Sequence, residues 1–570
     1  MDKRMPVVSF RDYSFQYHSQ AEPTLHDINL DIYAGEKILI VGPSGSGKST
    51  LGHCLNGLIP FAYQGEITGT LEIAGETVAN QTIFDRSKRV GTVLQDPDGQ
   101  FVGLTAGEDI AFSLENDCVA VDEMRERVRD VAAMVDMEDQ LRFSPYELSG
   151  GQKQRTALAG VMINHVDILL FDEPLANLDP ATGKTAIEII DDIHRDSGKT
   201  IIIIEHRLED VLHRHVDRVL VMNDGRIIAD MDADTLLCST VLVENGIREP
   251  LYTTVLKYAG VELTPDMHPG SIDTIALDGC KDKLASWMQQ ADRTLPMASD
   301  HVILSMKELG FSYEAGRKVL SDVNFEIFKG EMISIVGRNG AGKSTMTKLL
   351  CGFEKPDEGR ICYDGKDIAD QTIRERAEYI GLVMQNPNQM ISETMIAKEV
   401  GLGLKLRGIT GEEAEGRIEK ALKICGLYPF RDWPISALSF GQKKRVTVAS
   451  MLVLNPNILV LDEPTAGQDY RHYTEIMKFL VELNQQGVTV VLITHDMHLM
   501  LEYTHRAIVL SAGKLLCTAP ASQVLTDSDV IEEANLKETS LYQLAKRCGI
   551  KDATAFVQCF IDHERWVRQI

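Results

Sequence analysis

At 570 residues the chain has room for roughly two to four domains with their own cores, and its 44% hydrophobic and 25% charged content is that of a globular protein. A net charge of −26 argues against general binding of nucleic-acid backbone. The ten cysteines form no C-x-x-C pair or Cys/His cluster, which argues against a disulfide framework, a zinc site or an iron–sulfur centre.

From the N-terminus, "MDKRMPVVSF" holds no apolar segment of signal-peptide length. An apolar strand from Ile38 then runs into the Gly-rich turn Gly42–Gly47, and a helix opens at Lys48-Ser49-Thr50. A charged helical stretch follows at Val121–Gln140, and "LSGGQKQR" begins at Leu148 as a second helix start. The buried strands "DILLF" and "TIIIIE" come next, the first ending in Asp172-Glu173 and the second leading to His206. Strands apolar throughout and alternating with helices predict a parallel sheet covered on both faces, an α/β fold. Every apolar run is strand-sized, far short of the ~18–20 residues needed to span a bilayer, so a chain that stays in the cytosol is expected.

The whole series then returns in the same order. "ILIVGPSGSGKST" recurs as "ISIVGRNGAGKST", "GTVLQDPDGQ" as "GLVMQNPNQM", and "DILLFDEPLANLD" as "NILVLDEPTAGQD". "TIIIIEH" recurs as "TVVLITH", and "LSGGQKQR" as "LSFGQKKR". A near-constant offset over these blocks marks the tandem duplication of one domain. We expect a first domain over 1–247, an acidic linker with a short helix over 248–300, a second domain over 301–535 and a C-terminal helical segment over 536–570. Within the linker, Leu263–Asp273 reads as loop and Lys281–Ala291 as amphipathic helix.

Both "GPSGSGKS" and "GRNGAGKS" satisfy G-x-x-x-x-G-K-[ST] between a strand and a helix. Glycines let backbone N–H groups wrap phosphates, and the helix N-terminus adds partial positive charge. The expected ATP contacts are Gly42, Pro43, Ser44, Gly45, Ser46, Gly47, Lys48, Ser49 and Thr50. Their counterparts are Gly337, Arg338, Asn339, Gly340, Ala341, Gly342, Lys343, Ser344 and Thr345. Lys48 and Lys343 would neutralise the outer phosphates, and the Ser49 and Ser344 hydroxyls would ligate Mg²⁺. Asp172 and Asp462 would also hold Mg²⁺, while Glu173 and Glu463 would activate the attacking water as general bases.

Together these motifs resemble those of ATP-binding-cassette (ABC) ATPases, over most of the chain and twice. The resemblance implies two tandem nucleotide-binding domains, each with a RecA-like parallel-sheet core, an antiparallel β portion and a helical signature subdomain. It implies that Gln95 and Gln385 touch Mg²⁺ and the water, and that His206 and His495 contact the γ-phosphate. It also implies that Tyr17 and Tyr313 stack on adenine, although Tyr13 lies nearby and an aromatic in a strand is usually core. In the family each site is split between two cassettes. Site one would join Lys48, Gln95, Asp172, Glu173 and His206 to Ser439, Phe440, Gly441 and Gln442. Site two would join Lys343, Gln385, Asp462, Glu463 and His495 to Ser149, Gly150, Gly151 and Gln152. Asp179 and Asp469 match loop aspartates that cross the seam. Phe440 stands where the first copy has Gly150, which would make the two sites slightly unequal.

Within the family, "QDPDGQFVGLTAGEDIAF", "QNPNQMISETMIAKEVGLGL" and "DEPTAGQD" look like the duplicated ATPase of energy-coupling-factor vitamin importers. That resemblance implies an ATPase on the cytoplasmic face of the membrane, with a transmembrane coupling subunit and a small substrate-binding subunit as partners. It implies no nucleic acid and no contact with the transported substrate, which would be a thiamine precursor such as hydroxymethylpyrimidine, another vitamin, cobalt or nickel. Glu108, Asp109, Glu393 and Glu399 could pair with arginines of the coupling subunit, or be ordinary solvated carboxylates. The alternative is a two-cassette ATPase acting on ribosomes.

Overall fold

Residues in the central strands are apolar at successive positions because both faces of the sheet are covered. In Lys37–Val41, Ile38 and Ile40 enter one core layer, while Leu39 and Val41 enter the other. Ile201 and Ile203 against Ile202 and Ile204 split in the same way along Thr200–Ile204. The computed structural model describes residues 5–94, 99–164, 166–176, 178–290, 299–314, 316–438, 440–465, 468 and 470–568. The chain divides into two compact units at Cys280/Lys281.

In the first unit a six-stranded sheet runs Arg226–Met231, Arg218–Asn223, Lys37–Val41, Thr200–Ile204, Ile168–Asp172, Val90–Val93. Its pairings are parallel except the hairpin of Arg218–Asn223 with Arg226–Met231. An antiparallel sheet of Leu25–Tyr33, Pro6–Tyr17, Gly65–Ile73 and Glu76–Thr77 covers one face through Val8, Phe10 and Phe15. The helices Ala106–Asn116, Val121–Met134 and Gly150–Met162 pack together as a helical subdomain.

The second unit repeats this plan. Its six strands run Ile380–Val383, Ile458–Asp462, Thr489–Ile493, Met332–Val336, Arg506–Ser511, Lys514–Ala519. Its antiparallel sheet is Arg317–Phe328, Val302–Glu314, Glu358–Tyr363 and Lys366–Asp367. The helices Ile396–Leu406, Glu412–Ile424 and Phe440–Leu452 form the helical subdomain around Ile396, Val400, Leu422 and Val446.

A buried arginine anchors the phosphate-loop helix in each unit. Arg86 donates to the Cys54 and Ile59 carbonyls, and Arg376 to those of Leu349 and Leu350. Each guanidinium thus sits against the carbonyl end of the helix, where cations are favoured.

The 248–300 segment is less of a linker than its composition suggested. It holds the helix Leu251–Tyr258, in which Tyr252, Val255 and Leu256 are buried and the Tyr252 hydroxyl donates to the Pro269 carbonyl. The loop at Leu263–Asp273 contains one short turn of 3₁₀ helix, Pro265–Met267. The helix Cys280–Gln290 packs Trp287 edge-on against Phe556 of the C-terminal helix Ala553–Arg568. Among the described residues no helix is long and apolar enough to cross a membrane.

Candidate functional site

In a parallel sheet the loops after the carboxyl ends of neighbouring strands converge. Here Lys37–Val41 lies beside Thr200–Ile204, and that strand lies beside Ile168–Asp172. The Gly42–Gly47 turn, His206 and the Asp172-Glu173 pair therefore leave the sheet at one edge. The second unit places Gly337–Gly342, His495 and Asp462-Glu463 in the same way.

The phosphate loop is built on backbone that excludes side chains. A β-carbon at Gly42 would collide with the Met222 carbonyl oxygen, and one at Gly337 with that of Leu510. Gly47 and Gly342 open the helices Lys48–Asn56 and Lys343–Cys351 at φ 96° and 98°, in the left-handed region that glycine enters without steric cost. Lys48 is buried, and its ammonium donates to the Gly42 carbonyl at 2.8 Å and the Pro43 carbonyl at 2.9 Å. Lys343 does the same with Gly337 at 2.6 Å and Arg338 at 3.0 Å.

The glutamates sit on strained backbone, Glu173 at φ 50° and Glu463 at φ 45°, a conformation costing about 1–3 kcal/mol that persists only where surroundings impose it. Glu173 Oε1 lies 2.8 Å from His206 Nε2, and Glu463 Oε1 lies 2.7 Å from His495 Nδ1. Burial pushes the Glu173 carboxyl up, but the His206 hydrogen bond and the charges of His206, Lys48 and Arg207 outweigh it and hold it below its ordinary value. Burial and the neighbouring glutamate push Asp172 and Asp462 up to about 6 each. Asp172 Oδ1 is buried without a hydrogen-bond partner. An orphaned carboxylate oxygen beside the Lys48-Ser49 helix start fits a hard cation with oxygen donors such as Mg²⁺.

The structure separates the candidate tyrosines. Tyr13 is core, its hydroxyl donating to Cys54 Sγ. Tyr17 is half-buried beside the phosphate-loop helix, 3.2 Å from Thr50 Oγ1, and Tyr313 is 3.3 Å from Thr345 Oγ1.

Ser149 caps the signature helix Gly150–Met162 in a capping box with Gln152, and both Ser149 and Gly150 are exposed. Asp179 caps Pro180–Ser197 by accepting the Thr182 N–H at 2.9 Å. Gly441 and Gln442 lie in the first turn of Phe440–Leu452, and Gln385 is exposed after Ile380–Val383. Gln95, Ser439, Asp469 and the Phe440 side chain lie outside the described residues.

Three of the four carboxylates weighed either as partners of a coupling subunit's arginines or as surface charge organise their own loops. Asp109 Oδ1 accepts the Val102 and Gly103 N–H groups, and Glu399 Oε2 accepts those of Ser392 and Glu393. Glu108 completes a capping box with Thr105. A carboxylate that accepts two backbone N–H groups pins the loop that carries them.

Sequence reasoning missed the groups behind each glutamate. In the first unit Glu205 is buried and accepts the N–H groups of Leu175, His206 and Arg207 at 3.0, 2.7 and 3.1 Å. Gln154 is buried and donates to the Pro174 carbonyl. At the same places in the second unit stand Thr494 and Lys444. Thr494 Oγ1 is 3.3 Å from Glu463 Oε2, and Lys444 donates to the carbonyls of Glu463 at 2.6 Å and Pro464 at 2.8 Å. The signal was the aligned repeats, where "IIIIEH" and "QKQR" face "VVLITH" and "QKKR".

The sequence matches the family model described as ABC transporter twice, over residues 25–176 and 320–466. A model described as ATP-binding cassette cobalt transporter matches 239–311. A protein of Clostridium perfringens (strain 13 / Type A), provisionally named an ABC transporter ATP-binding protein, is 55% identical over 99% of this chain and 100% of its own length. One of Enterococcus faecalis, with the same provisional name, is 54% identical over 99% and 100%. The solved structure of cbiO1 from Clostridium perfringens, described as part of the ABC transporter complex cbiONQ, covers 44% of this chain and 100% of its own at 34% identity and a TM-score of 0.39.

Proposed function

The chain belongs to the ABC transporter family as an ATP-binding, ATP-hydrolysing protein, and from that premise we propose that it is the energy-coupling ATPase of a membrane importer of the energy-coupling-factor type. The observation that carries the reading is that both units keep a full hydrolytic set: phosphate-loop lysine, strand-end Asp-Glu pair, and a histidine within 2.8 Å of the glutamate. In this reading ATP sits at both phosphate loops, and the signature segment of each half completes the site of the other.

Glu173 and Glu463 take the proton of the attacking water, and His206 and His495 hold the glutamates in place and meet the γ-phosphate. Ser49 with Asp172, and Ser344 with Asp462, would hold Mg²⁺, a role the family resemblance extends to Gln95 and Gln385. When bound, the cation neutralises charge on the outer phosphates. Catalysis is positioning plus electrostatics, so it needs all of these groups in one arrangement.

The partners are a transmembrane coupling subunit and a small membrane subunit that binds the cargo, with the ATPase at the cytoplasmic face. The cargo is a vitamin precursor of the hydroxymethylpyrimidine type or a transition-metal ion such as cobalt, the ion named in the description of the family model matched at 239–311. Affinity purification of the full chain from detergent-solubilised membranes tests this. It should recover integral membrane subunits in fixed ratio; recovery with ribosomes and no membrane protein would overturn the transport assignment.

A further inference from the structure

The two units put opposite charges behind their catalytic glutamates. Glu205, a buried anion, stands behind the first, where its charge is one of the influences raising Asp172. The second has the neutral Thr494 at that place and a buried cation, Lys444, where the first has the neutral Gln154.

We propose that Lys444 is a positioning residue of the second hydrolytic site: it locks the Glu463–Pro464 peptide and sets a fixed positive charge beneath the Asp462–Glu463 pair. The inference rests on the reading of Glu463 as the base. Its geometric ground is the strained turn. Glu463 stands at φ 45°, its N–H bonded to the Ile493 carbonyl at 2.9 Å. The next residue, Pro464, offers no N–H, so beyond the Glu463 N–H the backbone groups these two residues can offer are the Glu463 and Pro464 carbonyls. One ammonium holds both, at 2.6 and 2.8 Å. In the first unit Gln154 donates to the Pro174 carbonyl, without net charge.

A cation in this position is costly to bury unless partnered. Lys444 is 3% exposed, and burial brings its ammonium down to about 8 while Glu463 and Asp462 pull it back up. The return on that cost is electrostatic. In a low-dielectric setting a fixed cation favours the ionised carboxylates that a base and a cation ligand must be.

The test uses the full chain carrying Glu173→Gln, which leaves Glu463 as the only base. Adding Lys444→Gln, the residue the first unit uses, should lower kcat about 10-fold with KM for ATP within about 2-fold, the signature of an interaction made in the transition state. Lys444→Arg, which keeps the charge and several donors, should recover kcat to within about 3-fold. An unchanged kcat in Lys444→Gln, a rise in KM alone, or equal loss in folded Lys444→Arg would overturn the proposal. The reciprocal Gln154→Lys on a Glu463→Gln background does not depend on Lys444→Gln folding. It should raise kcat of the first site about 3-fold at constant KM, and no change there counts against the proposal. Failure of the underlying reading shows separately, as wild-type hydrolysis by the Glu173→Gln, Glu463→Gln double variant.

Discussion

Burial works against the Glu173 carboxylate, and His206, Lys48 and Arg207 restore its charge. In the proposed role of base the glutamate must be ionised to act, so the histidine contact would keep it ready as well as oriented. Residues of this kind were legible because their types and spacing repeat: Lys48, Glu173 and His206 each have a twin at the same step. Glu205 and Lys444 were not legible, because a single strand or helix position carries no sign of what lies behind it. Only the fold shows that Glu205 lies against the turn after Ile168–Asp172, and Lys444 against the equivalent turn after Ile458–Asp462. The carboxylates of Asp109 and Glu399 illustrate the reverse case. In sequence they read as surface charge, yet their oxygens are taken up by backbone N–H groups of the loops they close.

Titration at His505 gives a residue-scale prediction. Burial, then the Arg565 charge, holds its pKa below the ordinary 6.5, against the opposing pull of Glu331 and the Met332 backbone and with Arg506 adding to the depression. As pH falls, the unfolded chain therefore takes up this proton before the folded one. The stability contribution is complete above pH 6.5 and is lost as pH falls through the folded value. Melting of the second unit should shift downward between pH 7 and 5, and His505→Gln should flatten that slope. An unchanged slope in the variant would remove His505 from the account.

At the scale of elements, strands were the most readable feature, since five apolar residues in a row have few uses other than a doubly covered sheet. The C-terminal helix was readable as a helix but not in its attachment. Arg568 donates to Glu502 at 2.9 Å, and to the hydroxyls of Tyr503 at 3.0 Å and Tyr470 at 3.1 Å. Arg565 donates to the Glu502 and Thr504 carbonyls. Tyr470 begins the helix Tyr470–Gln485, and Glu502 and Tyr503 end Met497–Tyr503, which follows His495. The C-terminal helix thus braces elements that lead from the site. Removing one partner of a buried ion pair typically costs about 3–5 kcal/mol, so Arg568→Met should destabilise the second unit by that order in chemical denaturation. A loss below about 1 kcal/mol would show the network to be solvated surface instead.

For the whole molecule, the duplication was plain from sequence, but the boundary was not. Acidic, Pro- and Gly-broken sequence suggested a linker over 248–300, yet Leu251–Tyr258 buries Tyr252, Val255 and Leu256 and the chain divides at Cys280/Lys281. Polar composition hides a helix whose buried face needs only a few residues. The unequal environments of Glu173 and Glu463 bear on the central claim, which is that ATP hydrolysis by this chain runs through these two glutamates. Steady-state ATP hydrolysis by the full chain carrying Glu173→Gln and Glu463→Gln together, with nucleotide binding measured alongside, tests it most directly. The account predicts hydrolysis reduced by about 10²–10⁴-fold with ATP still bound; hydrolysis at the wild-type rate would contradict it.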